Sequence, residues 1–172
     1  MAPLRALCLC LLLLPTVLQA RERPDEYAVK AVYLYKIGLF VRWPDTAFAD
    51  STKPLVVGVI GRDPFGKKLD QALRGKTLAG RQIELRRYKS ATELDTCHIL
   101  FFGDSDRTKL DAALDSVRGR PTLTVGESEA FLEAGGALSF LVRNDQIRFR
   151  VNGKAAQSAG LGISSKLLQL SD

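Results

Sequence analysis

Residues 55–73 read LVVGVIGRDPFGKKLDQAL: six unbroken apolar positions, a turn carrying Gly and Pro, then an amphipathic stretch. A short run that is apolar at every position is the pattern of a strand covered on both faces, since a half-exposed strand would alternate. With the helix expected over Phe65 to Leu73, the segment is a strand-turn-helix unit. The same alternation continues toward the C-terminus. Gln82 to Tyr88 reads as a second strand, His98 to Phe102 (HILFF) as a third and Pro121 to Val125 as a fourth. Helices are expected at Thr108 to Val117, with Leu110, Ala113, Leu114 and Val117 on one face, and at Glu127 to Ala134, closed by Gly135-Gly136. Ala137 to Val142 and Gln146 to Val151 flank Asn144-Asp145 and read as a β-hairpin, with a last helix at Ser164 to Leu170.

On the N-terminal side, Glu26 to Val41 is apolar almost all round and is expected to be a helix ended by Trp43-Pro44, because the residue before Pro is pushed out of the α region. Strands alternating with helices call for an α/β fold: a mostly parallel sheet with helices on both faces, here finished by a C-terminal β-hairpin and terminal helix. There is no internal repeat and no long linker.

The first 20 residues stand apart. Arg5 precedes a nine-residue apolar run, Ala6 to Leu14, and the segment closes with Leu18-Gln19-Ala20, the pattern of a secretory signal peptide cleaved near Ala20. The run is too short to span a bilayer. Residues 21–172 then form a single domain, exported and not cytosolic. Cys8 and Cys10 leave with the signal, so the mature chain keeps Cys97 alone and has no intrachain disulfide. It carries 24 basic against 19 acidic residues, unevenly placed: nine basic and three acidic between Arg62 and Lys89, four basic and nine acidic between Glu93 and Glu133. Such a dipole can orient a charged partner, or it is two ordinary solvated faces.

Motifs for chemistry are incomplete. Residues 61–68 (GRDPFGKK) match G-x-x-x-x-G-K, but Lys68 stands where a metal-holding hydroxyl belongs and Pro64 removes a backbone donor, which argues against a nucleoside triphosphate site. The turn remains a tight strand-to-helix link or a ligand site at the carboxyl end of a strand, with Arg62 and Asp63 as candidates. His98 adjoins Cys97, but neighbours on a strand point to opposite faces, which is poor geometry for a nucleophilic pair. No H-x-x-x-H, H-E-x-x-H, C-x-x-C or G-x-S-x-G occurs, and Asp104 and Asp106 read as solvent-facing helix-start residues. No catalytic residue, metal ligand or cofactor is expected. Nothing points to nucleic acid. Arg148 and Arg150 share one face of the hairpin and are candidates for clamping carboxylates or phosphates; the plainer reading is an exposed face kept soluble by arginine. Phe65 at the turn is an apolar anchor candidate, and Tyr33, Tyr35 and Trp43 are candidates for a partner or dimer surface as well as for core.

Taken in order, KAVYLYKIGLFVRWP (30–44), VVGVIGRDPFGKKL (56–69), CHILFF (97–102), TLTVGE (122–127), GGALSFL (135–141) and IRFRVNGKAAQSAGLGISSKLLQL (147–170) resemble the YfiR family. The resemblance implies a small periplasmic α/β protein that represses an inner-membrane diguanylate cyclase by binding its sensor portion, lowering cyclic di-GMP. It also implies release by an outer-membrane lipoprotein, and dimer formation. Other members of such a family serve sensor kinases or other membrane signalling proteins. Some relatives pair the cysteine of the C-H-I-L-F strand with a second one; Cys97 lacks that partner, so redox control through an internal disulfide does not carry over. The competing expectation is a periplasmic module binding a small anionic ligand, through Arg62, Asp63, Arg148 and Arg150, and acting on a membrane sensor kinase or transporter.

Overall fold

The computed structural model describes residues 25–103 and 107–172; the expected export signal at 1–20 lies outside them, as do Asp104 and Asp106. In chain order the elements are α1 (Glu26–Gly38), β1 (Val41–Arg42), β2 (Leu55–Ile60), α2 (Lys67–Leu73), β3 (Thr77–Leu78), β4 (Arg81–Tyr88) and β5 (Ile99–Phe102). They continue with α3 (Arg107–Ser116), β6 (Leu123–Gly126), α4 (Glu129–Glu133), β7 (Leu138–Arg143), β8 (Gln146–Val151), α5 (Gly153–Ser158), β9 (Gly162–Ile163) and α6 (Ser165–Gln169).

Seven strands form one sheet in the order β3-β4-β2-β5-β6-β7-β8. The five inner strands are parallel, and β3 and β8 are antiparallel edges. All six residues of β2 are buried, as its unbroken apolar run required. Leu55, Val57 and Val59 face a core completed by α1, α2, α5 and α6, whereas Val56 and Ile60 face α3 and Phe131 of α4. Helices therefore cover both faces, and the α/β class read from the sequence holds.

Three glycines let the layers close. A Cβ at Gly58 of β2 would sit 2.8 Å from both Cys97 Sγ and Tyr88 Cε2, so this central strand has a gap only where its neighbours fill it. At Gly126 and Gly136 a Cβ would overlap the ring of Phe131, at 2.4 and 2.0 Å. The hairpin turns at Asn144 and Asp145, both with positive φ (51° and 59°), as a two-residue loop with mirror-image twist demands.

The structure departs from the sequence reading at short elements. The first helix stops at Gly38, where a Cβ would come within 2.8 Å of Leu78; it does not reach Val41. Val41 and Arg42 instead pair with Ile163 and Gly162, and Ser164 N donates to Phe40 O at 3.0 Å, joining the start of the domain to its end. Strand β3 and helix α5 were also outside expectation. Asp25 caps α1 by accepting from Tyr27 N and Ala28 N, and Asn152 caps α5 through Ala155 N.

Candidate functional site

Strand β2 leads through α2 to β4 on one side, and the chain then crosses back to place β5 on the other. Loops leaving two adjacent strands in opposite directions open a crevice beyond their carboxyl ends. Its floor is tight: Gly103 N donates to Ile60 O at 2.9 Å, and a Cβ at Gly103 would lie 1.8 Å from Arg62 O. Arg62, Phe102 and Leu110 form a shared wall between two lobes. One lobe, about 460 Å³, has Lys89, Ser90, Thr92 and Lys109 around it; the other, about 320 Å³, is bounded by Tyr27, Glu127 and Ser128.

Beside the smaller lobe, Lys30 is buried and its ammonium donates to both Glu26 and Glu127. Burial pushes its pKa down, but the hydrogen bonds and charges of Glu127 and Glu26 outweigh it and hold the ammonium above its usual value. Tyr27 adds a long hydroxyl contact to Glu127 at 3.4 Å, and burial first, then that carboxylate, raises its phenol. Glu26 and Lys30 stand four apart, a helical pairing legible in the sequence, while Glu127 arrives from the end of β6 and was not anticipated.

Asp63 builds the turn. Its Oδ1 accepts from Phe65 N (2.8 Å) and Gly66 N (3.2 Å), and its Oδ2 meets Arg87, which also bridges to Asp70 at 2.7 Å. Asp63 thus shapes the loop that presents Arg62. Phe65 is 1% exposed, edge-on to Tyr27 and Phe101, so the apolar residue of the turn is packed into the core.

A second surface joins α1, the hairpin and α6. Tyr33, Ile147 and Arg148 line two adjoining grooves, one extending to Phe40 and Leu170 and the other to Val29 and Val142. Among the described residues the exposed large apolar side chains are Leu39, Val142, Leu168 and Leu170, all on these three regions. Arg148 is exposed and donates to Gln146 Oε1 at 2.7 Å, whereas Arg150 donates to Glu129 at 2.6 Å, a carboxylate it shares with Arg143. The two arginines therefore meet different partners and do not form one fork. Tyr35 is half-buried with the Lys76 ammonium 4.4 Å from its ring centre. Trp43 is buried, its indole N–H donating to His98 O at 3.2 Å. Sequence reasoning brought forward Tyr33 and Arg148 separately; that they share a groove follows from α1 lying against β8. Lys89, Lys109, Ile147, Val142 and Leu170 were missed, because no local pattern marks a residue that topology alone brings to a cleft.

His98 and Cys97 are structural. His98 Nδ1 accepts from Val56 N at 2.9 Å, which leaves the proton on Nε2 to donate to Ala47 O at 3.0 Å, and the ring stacks on Phe48. Cys97 is buried and donates to Ile99 O; burial pushes its thiol pKa up to about 12, far from a reactive thiolate. Among the described residues no group of three or more His, Cys, Asp or Glu is placed to hold a metal ion.

In this doubly wound α/β domain the histidine and core cysteine serve packing, and the accessible features are a cation-rimmed crevice and an apolar face. The chain belongs to the YfiR/HmsC-like family, which matches residues 27–172. No curated protein matches it by sequence. Among solved structures it is similar to the ABC domain in complex with L-Trp from Streptococcus pneumonia, with a TM-score of 0.52 and 13% identity over 84% of this chain. The match spans 59% of that longer chain, and at this identity the likeness is one of fold.

Proposed function

We propose that the protein is a periplasmic regulator that docks on the sensor portion of an inner-membrane diguanylate cyclase and holds it in its inactive form, lowering cyclic di-GMP. Membership of the YfiR/HmsC-like family supports the regulatory theme. The observation that carries the reading is the face built by α1, the hairpin and α6, where exposed Val142 and Leu170 flank grooves shared by Tyr33, Ile147 and Arg148. Apolar side chains beside an arginine and a tyrosine make the composition expected of a protein-binding anchor. Arg150 and Arg143 are held by Glu129 and belong to the scaffold of that face.

Repression by docking needs tighter binding to one state of the partner. A switch from mostly active to mostly inactive takes about 5.5 kcal/mol of differential binding. Displacement of the docked protein by an outer-membrane lipoprotein would relieve the cyclase, and a second copy of this chain would compete for the same face.

Crosslinked capture of the tagged protein from its own envelope tests this. A membrane diguanylate cyclase is expected in the capture, and Val142→Asp with Arg148→Glu should abolish its recovery while leaving thermal stability within about 0.5 kcal/mol, as for surface changes. Equal recovery by the variant removes the face from the proposal, and unchanged cyclic di-GMP on deletion of the gene removes the function.

A further inference from the structure

We infer that the larger lobe of the switch-point crevice is a binding site for a small organic oxyanion, a carboxylate or phosphate ester carried on an apolar ring. The inference concerns the crevice alone and stands whether or not the docking face binds a cyclase. The lobe is about 460 Å³, within the range of roughly 300–1,000 Å³ usual for small-molecule sites. Its floor is apolar: Ile60, Phe102 and Ala113 are buried side chains that present carbon to the cleft, and Leu110 forms the wall toward the second lobe.

The rim is cationic. Arg62 comes from the turn after β2, Lys89 from the end of β4 and Lys109 from α3, so three separate elements bring positive charge to one mouth. Among the described residues lining this lobe there is no carboxylate. Ser90 and Thr92 lie between, their hydroxyls 2.8 Å apart, and either can donate to an oxyanion while accepting from the other. Arg62 and Lys109 already have interactions within the protein, so a ligand joins an existing polar framework.

The crevice also sets orientation. Its other lobe holds Glu127, which the buried Lys30 ties down, so the negative end of a ligand is turned toward Arg62, Lys89 and Lys109 and its ring toward Phe102. Gly103 packs on the Arg62 backbone with no room for a side chain, so the two loops meet at close range. A close-packed apolar floor beneath a charged rim sets both kinds of contact in place for a ligand, and such preorganisation lowers the cost of binding.

The test uses the purified protein and three ring-matched probes: 2-naphthoate, 2-naphthyl phosphate and the neutral 2-naphthalenemethanol, each titrated and followed by amide chemical shifts and thermal stability. Saturable shifts confined to Gly61, Arg62, Ser90, Thr92 and Gly103 are expected with one or both anions, at about 1 mM or tighter, and not with the alcohol. Preference for naphthoate assigns a carboxylate; preference for the ester assigns a phosphate. Lys89→Glu with Lys109→Glu, both exposed positions that leave the core untouched, should weaken binding about tenfold or more. Shifts mapping to the hairpin, equal binding of the alcohol, unchanged affinity in the double variant, or no saturable shift with either anion would each overturn the inference.

Discussion

His98 ties three segments together. It accepts from Val56, donates to Ala47 and stacks on Phe48, and its carbonyl receives the Trp43 indole and Leu123 N–H. Burial holds its pKa below the usual 6.5; the bond to Ala47 opposes it, and the charges of Arg81 and Arg86 add lesser lowering effects. A depressed histidine means the unfolded chain binds the proton more readily, so stability is full above about pH 6.5 and falls as pH drops from there toward the folded pKa. Thermal melts between pH 8 and 5 should show that decline, and His98→Gln should be less stable throughout yet flatter across this window. Cys97 gives a second test at this scale. With its thiol pushed to about 12 by burial, a disulfide reagent should leave it unlabelled in the native protein and modify it promptly in denaturant.

Among elements, β2 is the one the whole sheet is hung on, paired with β4 on one side and β5 on the other. Gly58→Ala inserts a methyl where Cys97, Tyr88 and Leu100 already touch, and should destabilise the protein by about 1–3 kcal/mol in denaturant unfolding, the usual cost of overpacking. Strands such as LVVGVI and HILFF were legible because a fully covered strand writes its burial into every position. The hairpin was legible through Asn144-Asp145. The two-residue strands were not: β3, which turns straight into β4 at Ala79-Gly80, is too short to carry a pattern, and β1 and β9 each exist only through a partner brought from elsewhere by the fold. The same reason hid the crevice: Lys89 and Lys109 are ordinary surface lysines until the switch in strand order sets them beside Arg62. Phe65 and Trp43 illustrate the converse, for an aromatic anchor and an aromatic core residue carry the same signature in sequence, and here both are buried.

For the whole molecule, the uneven charge seen along the chain is only partly offset in the fold. Arg86 pairs with Glu84 and Arg87 with Asp63 and Asp70 inside the basic stretch, whose bases still outnumber its acids, and Asp95 and Asp25 reach Arg86 and Lys68 from outside it. The docking face lies on α1, the hairpin and α6, outside the basic stretch, so association with a partner should be driven by apolar contact more than by long-range steering. Raising salt from about 0.1 to 0.5 M should slow capture by less than about tenfold, where a steered encounter would fall steeply. Stopped-flow or surface-capture rates would measure this.

The pairing of Val41 and Arg42 with Ile163 and Gly162 also orders events in time. A chain emerges from the ribosome N-terminus first, yet β1 has nothing to pair with until some 120 residues later its partner is made. Contacts of such long sequence separation slow folding, because the entropy of closing the loop is lost before they reward it. A chain cut before Gly162 would therefore leave Val41 and Arg42 unpartnered, so the first and last parts of the described fold stand or fall as one unit.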